Sequence, residues 1–275
     1  MLRSNWLHEL RWPEVEGYLK TSDIVLVPIG ATEQHGRHLP LAVDTGWAIR
    51  ASEIAAQKTG SVIAPPLHYG WSPHHMGYPG TVTLGAKTLL SIATDIAFSL
   101  VSHGFGRIIF VNGNRIANLP PLEIAIVEIK NRTGAFAGIA DAGLIAKEEV
   151  SALCRAPDGG LDHAGEVETS FALHWMPASV DLSQARPRQQ PTRSLGTFDY
   201  TVELDPTRSG NSVSYAVSAE EHKAASAPDG AVNDASLSNA EQGRKIIEMI
   251  GANLARFIEE VRLKPVGPLT KILPV

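Results

Sequence analysis

Apolar positions recur along the chain in two patterns. Four short stretches are apolar with almost no polar interruption: residues 24–29, 61–65, 107–111 and 136–140. Runs of that length read as strands buried on both faces. Between and around them, apolar residues recur three and four apart. On that spacing residues 6–19, 45–57, 87–103, 122–130 and 239–261 read as helices. In 87–103 the stripe runs through Leu89, Ile92, Ile96 and Leu100, and in 239–261 through Ile246, Ile250, Leu254 and Ile258. Gly60 and Gly104 stop two of these helices. Pro120 and Pro121 are expected to open the helix at 122–130, because a first turn accepts proline. Strand alternating with helix predicts an α/β fold: a single domain with a mostly parallel central sheet and helices on both faces. Residues 186–230, rich in Ser, Pro, Gly and Asp, are expected to be loosely ordered.

Composition narrows the class without naming a chemistry. The 275 residues are 44% hydrophobic and 19% charged, with a net charge of −5, which describes an ordinary globular chain. There is no Lys/Arg run, so no nucleic-acid partner is expected. The single cysteine, Cys154, forms no intramolecular disulfide and suits a cytoplasmic location. No apolar run approaches the roughly 20 residues of a membrane helix, and the first residues show no leader pattern, so no membrane partner is expected.

The chemistry gathers where the apolar runs stop. The first run ends at Gly30 and is followed by Glu33, His35, His38 and Asp44. In open α/β sheets, ligands bind beyond the carboxyl ends of strands. Glu33 and His35, two apart, share a face if the loop is extended. Two carboxylates and an imidazole from one loop can surround a divalent cation. The alternative is a capped turn, with Asp44 as an N-cap and Glu33 and His35 solvated. Three more loops could converge there. They are 67–81, with Trp71, Ser72, His74, His75 and Tyr78; 112–118, with Asn114 and Arg115; and 161–170, with His163, Glu166, Glu168 and Asp162 as a possible helix cap.

These residues carry a resemblance. The stretch EQHGRHLPLAVD resembles the signature of the creatininase family of metal-dependent amidohydrolases. GWSPHHMGYPGT is similar to that family's substrate-side loop, FVNGN to its Asn-Gly-His turn, DHAGEVETS to its Glu-Thr-Ser segment, and SLSNAEQGRKII to its C-terminal helix. The matches run in order from about Val25 to Ile258. The resemblance implies a single α/β domain, a dinuclear metal centre, hydrolysis of an amide in a small-molecule substrate, and a homo-oligomer, a hexamer. Carried over, Glu33 would ligate one metal, His35 the other, and Asp44 would bridge. His163 would handle protons as a catalytic residue, with Glu168 supporting the site. Trp71, Ser72, His75 and Asp162 are candidates to face the substrate, and so is Arg115, which stands where the family is small and could fill part of the site or offer its planar fork to an anionic group.

The chain departs from the family at one turn. Asn114 stands where the family has a histidine ligand, and Ile116 where creatininases proper have a glutamate. As a ligand, Asn114 can offer only a carbonyl oxygen, weaker than imidazole toward Zn-like ions. The expectation is one or two divalent ions (Zn, Mn or Fe) held by Glu33, His35, Asp44 and Asn114. A single ion or a site of lowered affinity fits the departure better than a full pair. The expected reaction is hydrolysis of a C–N bond, in a cyclic amide, by metal-activated water. Two other readings stay open: C–C hydrolysis of a cyclic ketone on the same site, and a catalytically silent relative that binds a metabolite.

Overall fold

The four apolar runs form one parallel sheet in the order β2–β1–β3–β4, with β1 at Ile24–Ile29, β2 at Val62–Ile63, β3 at Arg107–Asn112 and β4 at Phe136–Asp141. The computed structural model describes residues 2–156, 160–161, 163–185, 194–195, 198–200, 211–213, 216–226, 229–232 and 234–274. Every residue of β1 is buried, because its two faces serve two cores. Ile24 and Leu26 point to one apolar cluster, and Val25, Val27 and Ile29 to the other. That is the period of two of a strand covered on both sides.

Helices cover both faces. On one lie α2 (Val43–Thr59), α6 (Glu166–Trp175) and α8 (Ala240–Arg262), with α5 (Lys147–Leu153) beside α8. The other carries α3 (Ala86–Ser102) and α4 (Arg115–Thr133), with Tyr18 of α1 (Trp12–Leu19) packed alongside. The Asn239 side chain accepts a hydrogen bond from Gln242 N–H and so starts α8. Gly60 ends α2 in the left-handed region, at φ 70°.

Pro28 sits inside β1 without breaking it. Its carbonyl accepts from Leu67 N–H, so the missing N–H faces the β2 edge. Beyond Ile63 that edge has already left regular pairing.

Three expectations are corrected. The helix after β3 starts at Arg115, not at residue 122, and carries Pro120 and Pro121 inside it. Tertiary bonds hold the turn ahead of them: the Asn118 amide donates to Gly30 O and accepts from Trp71 N–H. The N-cap of α6 is Gly165, not Asp162, and Asp162 lies outside the described residues. Asp44 is not an N-cap but the second residue of α2.

Much of 186–230 lies outside the described residues. What is described there is ordered: β5 (Ser194–Leu195), β6 (Phe198–Tyr200) and β7 (Asn211–Val213) form a small sheet. There too, α7 (Ala219–Ala225) opens with a Ser218/Glu221 capping box. Among the described residues no helix is long and apolar enough to cross a membrane.

Candidate metal centre

β1, β3 and β4 all end on one edge, and the site is built there. As β1 leaves the sheet, Gly30 lies so close to the Thr45 backbone that a Cβ would collide with it. Gly113, after β3, sits likewise against the Asp44 carbonyl. These two glycines let the first turn of α2 press between the two strand ends. The loop after Gly30 then folds back: Glu33 N–H donates to Leu41 O at 3.1 Å, and Thr32 bridges Val82. Glu33, Gln34, His35 and Asp44 are all buried as a result.

His35 is the centre of the group. Its Nδ1 lies 3.2 Å from the Glu33 carbonyl oxygen, which can only accept, so Nδ1 carries a hydrogen. Its Nε2 lies 3.1 Å from Asp44 Oδ1 and 3.6 Å from Glu168 Oε2. An imidazole that donates one nitrogen's hydrogen to a carbonyl and turns the other toward carboxylates is oriented as metal-binding histidines are. Burial acts to lower the His35 pKa, but the Asp44 and Glu168 charges reverse this and push it up to about 10. The proton on Nε2 therefore occupies the place that a cation would take. Asp44 Oδ2 is buried with no hydrogen-bond partner among the described residues. An unpartnered buried carboxylate oxygen is costly unless something positive meets it. On these grounds the residues fit a divalent cation.

A second group adjoins the first. Glu33 Oε1 lies 3.4 Å from His75 Nε2 and 3.9 Å from His163 Nδ1. Glu33 Oε2 accepts from Asn114 Nδ2 at 2.8 Å, and that nitrogen also donates to Ser72 Oγ at 3.0 Å. Burial first, and then the Asp44 charge, hold Glu33 well above the usual carboxylate range. Burial holds His75 and His163 well below the usual range, so both rings are neutral. Glu33, His35 and His163 are close enough to share an ion, and so are His35, Asp44 and Glu168.

The elements that place these groups are under local constraint. Ala164, next to His163, is the one non-glycine residue with positive φ among the described residues, at 56°. Its N–H donates to Glu168 Oε2 at 2.6 Å, tying the histidine's turn to the carboxylate. A left-handed alanine costs about 1 kcal/mol and persists where surroundings demand it. Glu168 and Asp44 both lie in first helical turns, where the helix dipole favours negative charge.

Most of the expected residues meet; Trp71 and Arg115 lie elsewhere, and Asp162 is outside the described residues. Glu33, His35, Asp44, Asn114, Ser72, His75, His163 and Glu168 come together. Trp71 packs against the apolar layer that α3 and α4 share. Arg115 runs toward Gly143, near Asp141 at the end of β4. His38 Nε2 pairs with Thr169 Oγ1 at 2.9 Å. Glu168 was expected only to support the site; its Oε2 lies 3.6 Å from His35 Nε2, close enough to share an ion with His35 and Asp44. Gln34 went unnoticed in the sequence. In an extended loop it would point away from Glu33 and His35, and only the folded-back loop turns it inward.

A model of the creatininase family, described as creatinine amidohydrolase, matches residues 8–258. The chain belongs to the creatininase family. It is 28% identical to a creatinine amidohydrolase of Pseudomonas putida over 94% of this chain and 98% of that protein. It is 37% identical to a mycofactocin precursor peptide peptidase of Mycolicibacterium smegmatis over 67% of this chain and 75% of that one. To a 3-dehydro-scyllo-inosose hydrolase of Thermotoga maritima it is 26% identical, over 93% and 83%. The fold matches that of a solved manganese creatininase with a TM-score of 0.75 at 24% identity, covering 95% of this chain and all of that one. A variant creatininase of the Zn–Zn type matches with a TM-score of 0.74 at 22% identity, over 96% and 100%. Creatininase-family relatives are thus hydrolases of several substrates on one architecture, and this chain is a hydrolase of that family.

Proposed function

We propose that this creatininase-family chain hydrolyses the C–N bond of a small cyclic amide with the help of a divalent cation, Zn, Mn or Fe. The observation that carries the reading is the His35–Asp44–Glu168 group, with His35 and Asp44 buried and Asp44 Oδ2 unpartnered among the described residues. Those three side chains would hold the ion. A cation there polarises the substrate carbonyl and lowers the pKa of water beside it. Glu33, its pKa raised, is suited to take up a proton from water. Glu33 is then placed to pass that proton to the departing nitrogen, with the His163 ring 3.9 Å away turned toward the carboxylate. Ser72 and Asn114 hold Glu33 in position. The buried walls exclude bulk water, which strengthens each of these interactions.

The geometry supports one ion more than two. A second ion beside Glu33 would gain no electron pair from the Asn114 amide nitrogen, which donates to Glu33. The relative that hydrolyses 3-dehydro-scyllo-inosose supports a second reading, attack on the carbonyl of a cyclic ketone at the same site. A homo-oligomer, a hexamer on family resemblance, belongs to this proposal; Ile124 and Val127, exposed one helical turn apart on α4, support self-association. The lone Cys154 supports a cytoplasmic location.

The test is metal analysis of purified protein together with a panel of lactams, formamides and cyclic ketones. One equivalent of Zn or Mn and turnover of a lactam are expected. Turnover of ketones alone would favour the second reading. Failure to take up either metal after incubation would leave only a metabolite-binding relative.

A further inference from the structure

Gln34 stands between two histidines of the site, and its orientation is decided by backbone. Its Oε1 accepts from Gly36 N–H at 2.9 Å, while its Nε2 lies 3.2 Å from Gly230 O. Reversing the amide would set oxygen against oxygen and N–H against N–H, so Nε2 is the nitrogen. That nitrogen lies 2.8 Å from His75 Nδ1 and 2.9 Å from His163 Nε2. An amide nitrogen donates and does not accept. Its two hydrogens serve the two shorter contacts, to the rings, and each ring nitrogen facing it presents a lone pair. A neutral imidazole carries a single hydrogen, which leaves only the opposite nitrogen to bear it. His75 then bears its hydrogen on Nε2, and His163 on Nδ1. Both of these nitrogens turn toward Glu33 Oε1, at 3.4 and 3.9 Å.

We infer that Gln34 is a positioning residue that sets opposite tautomers in His75 and His163 and so aims both ring hydrogens at Glu33. Two consequences follow for the proposed hydrolase, on which this inference rests for its catalytic part. His163 turns its Nδ1 hydrogen toward Glu33 and has no second proton to give, so Glu33 carries the proton and the leaving group of the substrate lies on its side. His163 also has no lone pair to offer an ion: Nε2 is taken by Gln34, and Nδ1 is protonated. Of the two groups that could hold a cation, this selects His35, Asp44 and Glu168.

The tautomers are readable without any substrate. In zinc-loaded, 15N-labelled protein, long-range 1H–15N correlation should show the His163 hydrogen on Nδ1 and the His75 hydrogen on Nε2. A His163 hydrogen found on Nε2 overturns the inference. In Gln34→Glu the carboxylate only accepts, and at least one ring should move its hydrogen to the nitrogen facing residue 34. Gln34→Met, which is neutral and of similar length, should leave the tautomers mixed. For both variants kcat should fall about 10- to 100-fold, with KM and zinc content unchanged. Unchanged kcat in a variant whose tautomers have moved would overturn the catalytic role. If the wild-type tautomers are as stated but no amide is hydrolysed, the positioning stands and the amide reading fails.

Discussion

The loops that leave β1 and β3 end side by side, and they do opposite work. The β1 exit brings buried ionisable groups, Glu33 and His35, with Asp44 at the start of the helix that follows. The β3 exit brings buried amides, Asn112, Asn114 and Asn118, and no ionisable group inside the site. Those amides close a network. Asn112 Nδ2 donates to Asp141 and to Asn114 O, Asn118 holds Gly30 O and Trp71 N–H, and Asn114 holds Glu33 and Ser72. One loop supplies charge; the other supplies neutral donors that fix where the charge sits. With an amide on the β3 loop, the group that could hold an ion draws its third member, Glu168, from α6, elsewhere in the chain.

The strongest way to break this contrast is to remove the charged centre. His35→Ala should abolish metal binding and lower activity by several kcal/mol, about 1000-fold at 1.4 kcal/mol per decade. Activity with a full equivalent of metal retained would show that the β1 loop does not supply the site. Next comes the histidine that faces Glu33. His163→Ala should reduce kcat about 100- to 1000-fold, a typical general acid–base effect, with metal content unchanged. Loss of metal in this variant would make His163 a ligand.

Glu168→Gln sharpens the claim that α6 supplies the third member. The amide can still accept from Ala164 N–H, so the turn should survive, while metal affinity falls about 10- to 100-fold by competition titration. The amide loop should matter less. Asn114→Ala frees Glu33 from one donor and should weaken metal binding by less than about tenfold, near 1 kcal/mol for a neutral hydrogen bond. A loss as large as that from His35→Ala would place the β3 exit among the charged ligands.

The smallest effect concerns Asp141, at the end of β4. Burial pushes its carboxyl up to about 6, against 3.8 in the unfolded chain. A raised carboxyl pKa favours the protonated fold, so the ionised group costs stability fully above pH 6 and hardly at all below pH 4. Urea unfolding at pH 5 and pH 7.5 should therefore show Asp141→Asn gaining on the wild type by about 1 kcal/mol as pH rises. An unchanged difference between the two pH values would mean that Asp141 is not destabilised by its burial.

Reading the fold from sequence worked where local pattern and tertiary need agreed. β1 is apolar without a break because both of its faces are covered, and α8 shows its stripe because only one face is. It failed at α4. Prolines at 120 and 121 locally favour a helix that starts with them, and the bonds that extend it back to Arg115 come from Gly30 and Trp71, far away in sequence. It also failed at Gln34. Strand periodicity turns that side chain away from Glu33, whereas the bridge between Thr32 and Val82 folds the loop and brings it in.

The amino-acid order alone determined the layered α/β architecture and the family, and it named Glu33, His35, Asp44 and Asn114 as candidate ligands. Periodicity and motif spacing are local quantities, and these features depend on nothing else. Only the tertiary structure decided that Glu168 stands with them, that Asn114 donates to Glu33, and which nitrogen of His163 carries its hydrogen. Each of these depends on a distance of a few ångströms between residues dozens of positions apart, set by how α2 and α6 pack on the sheet.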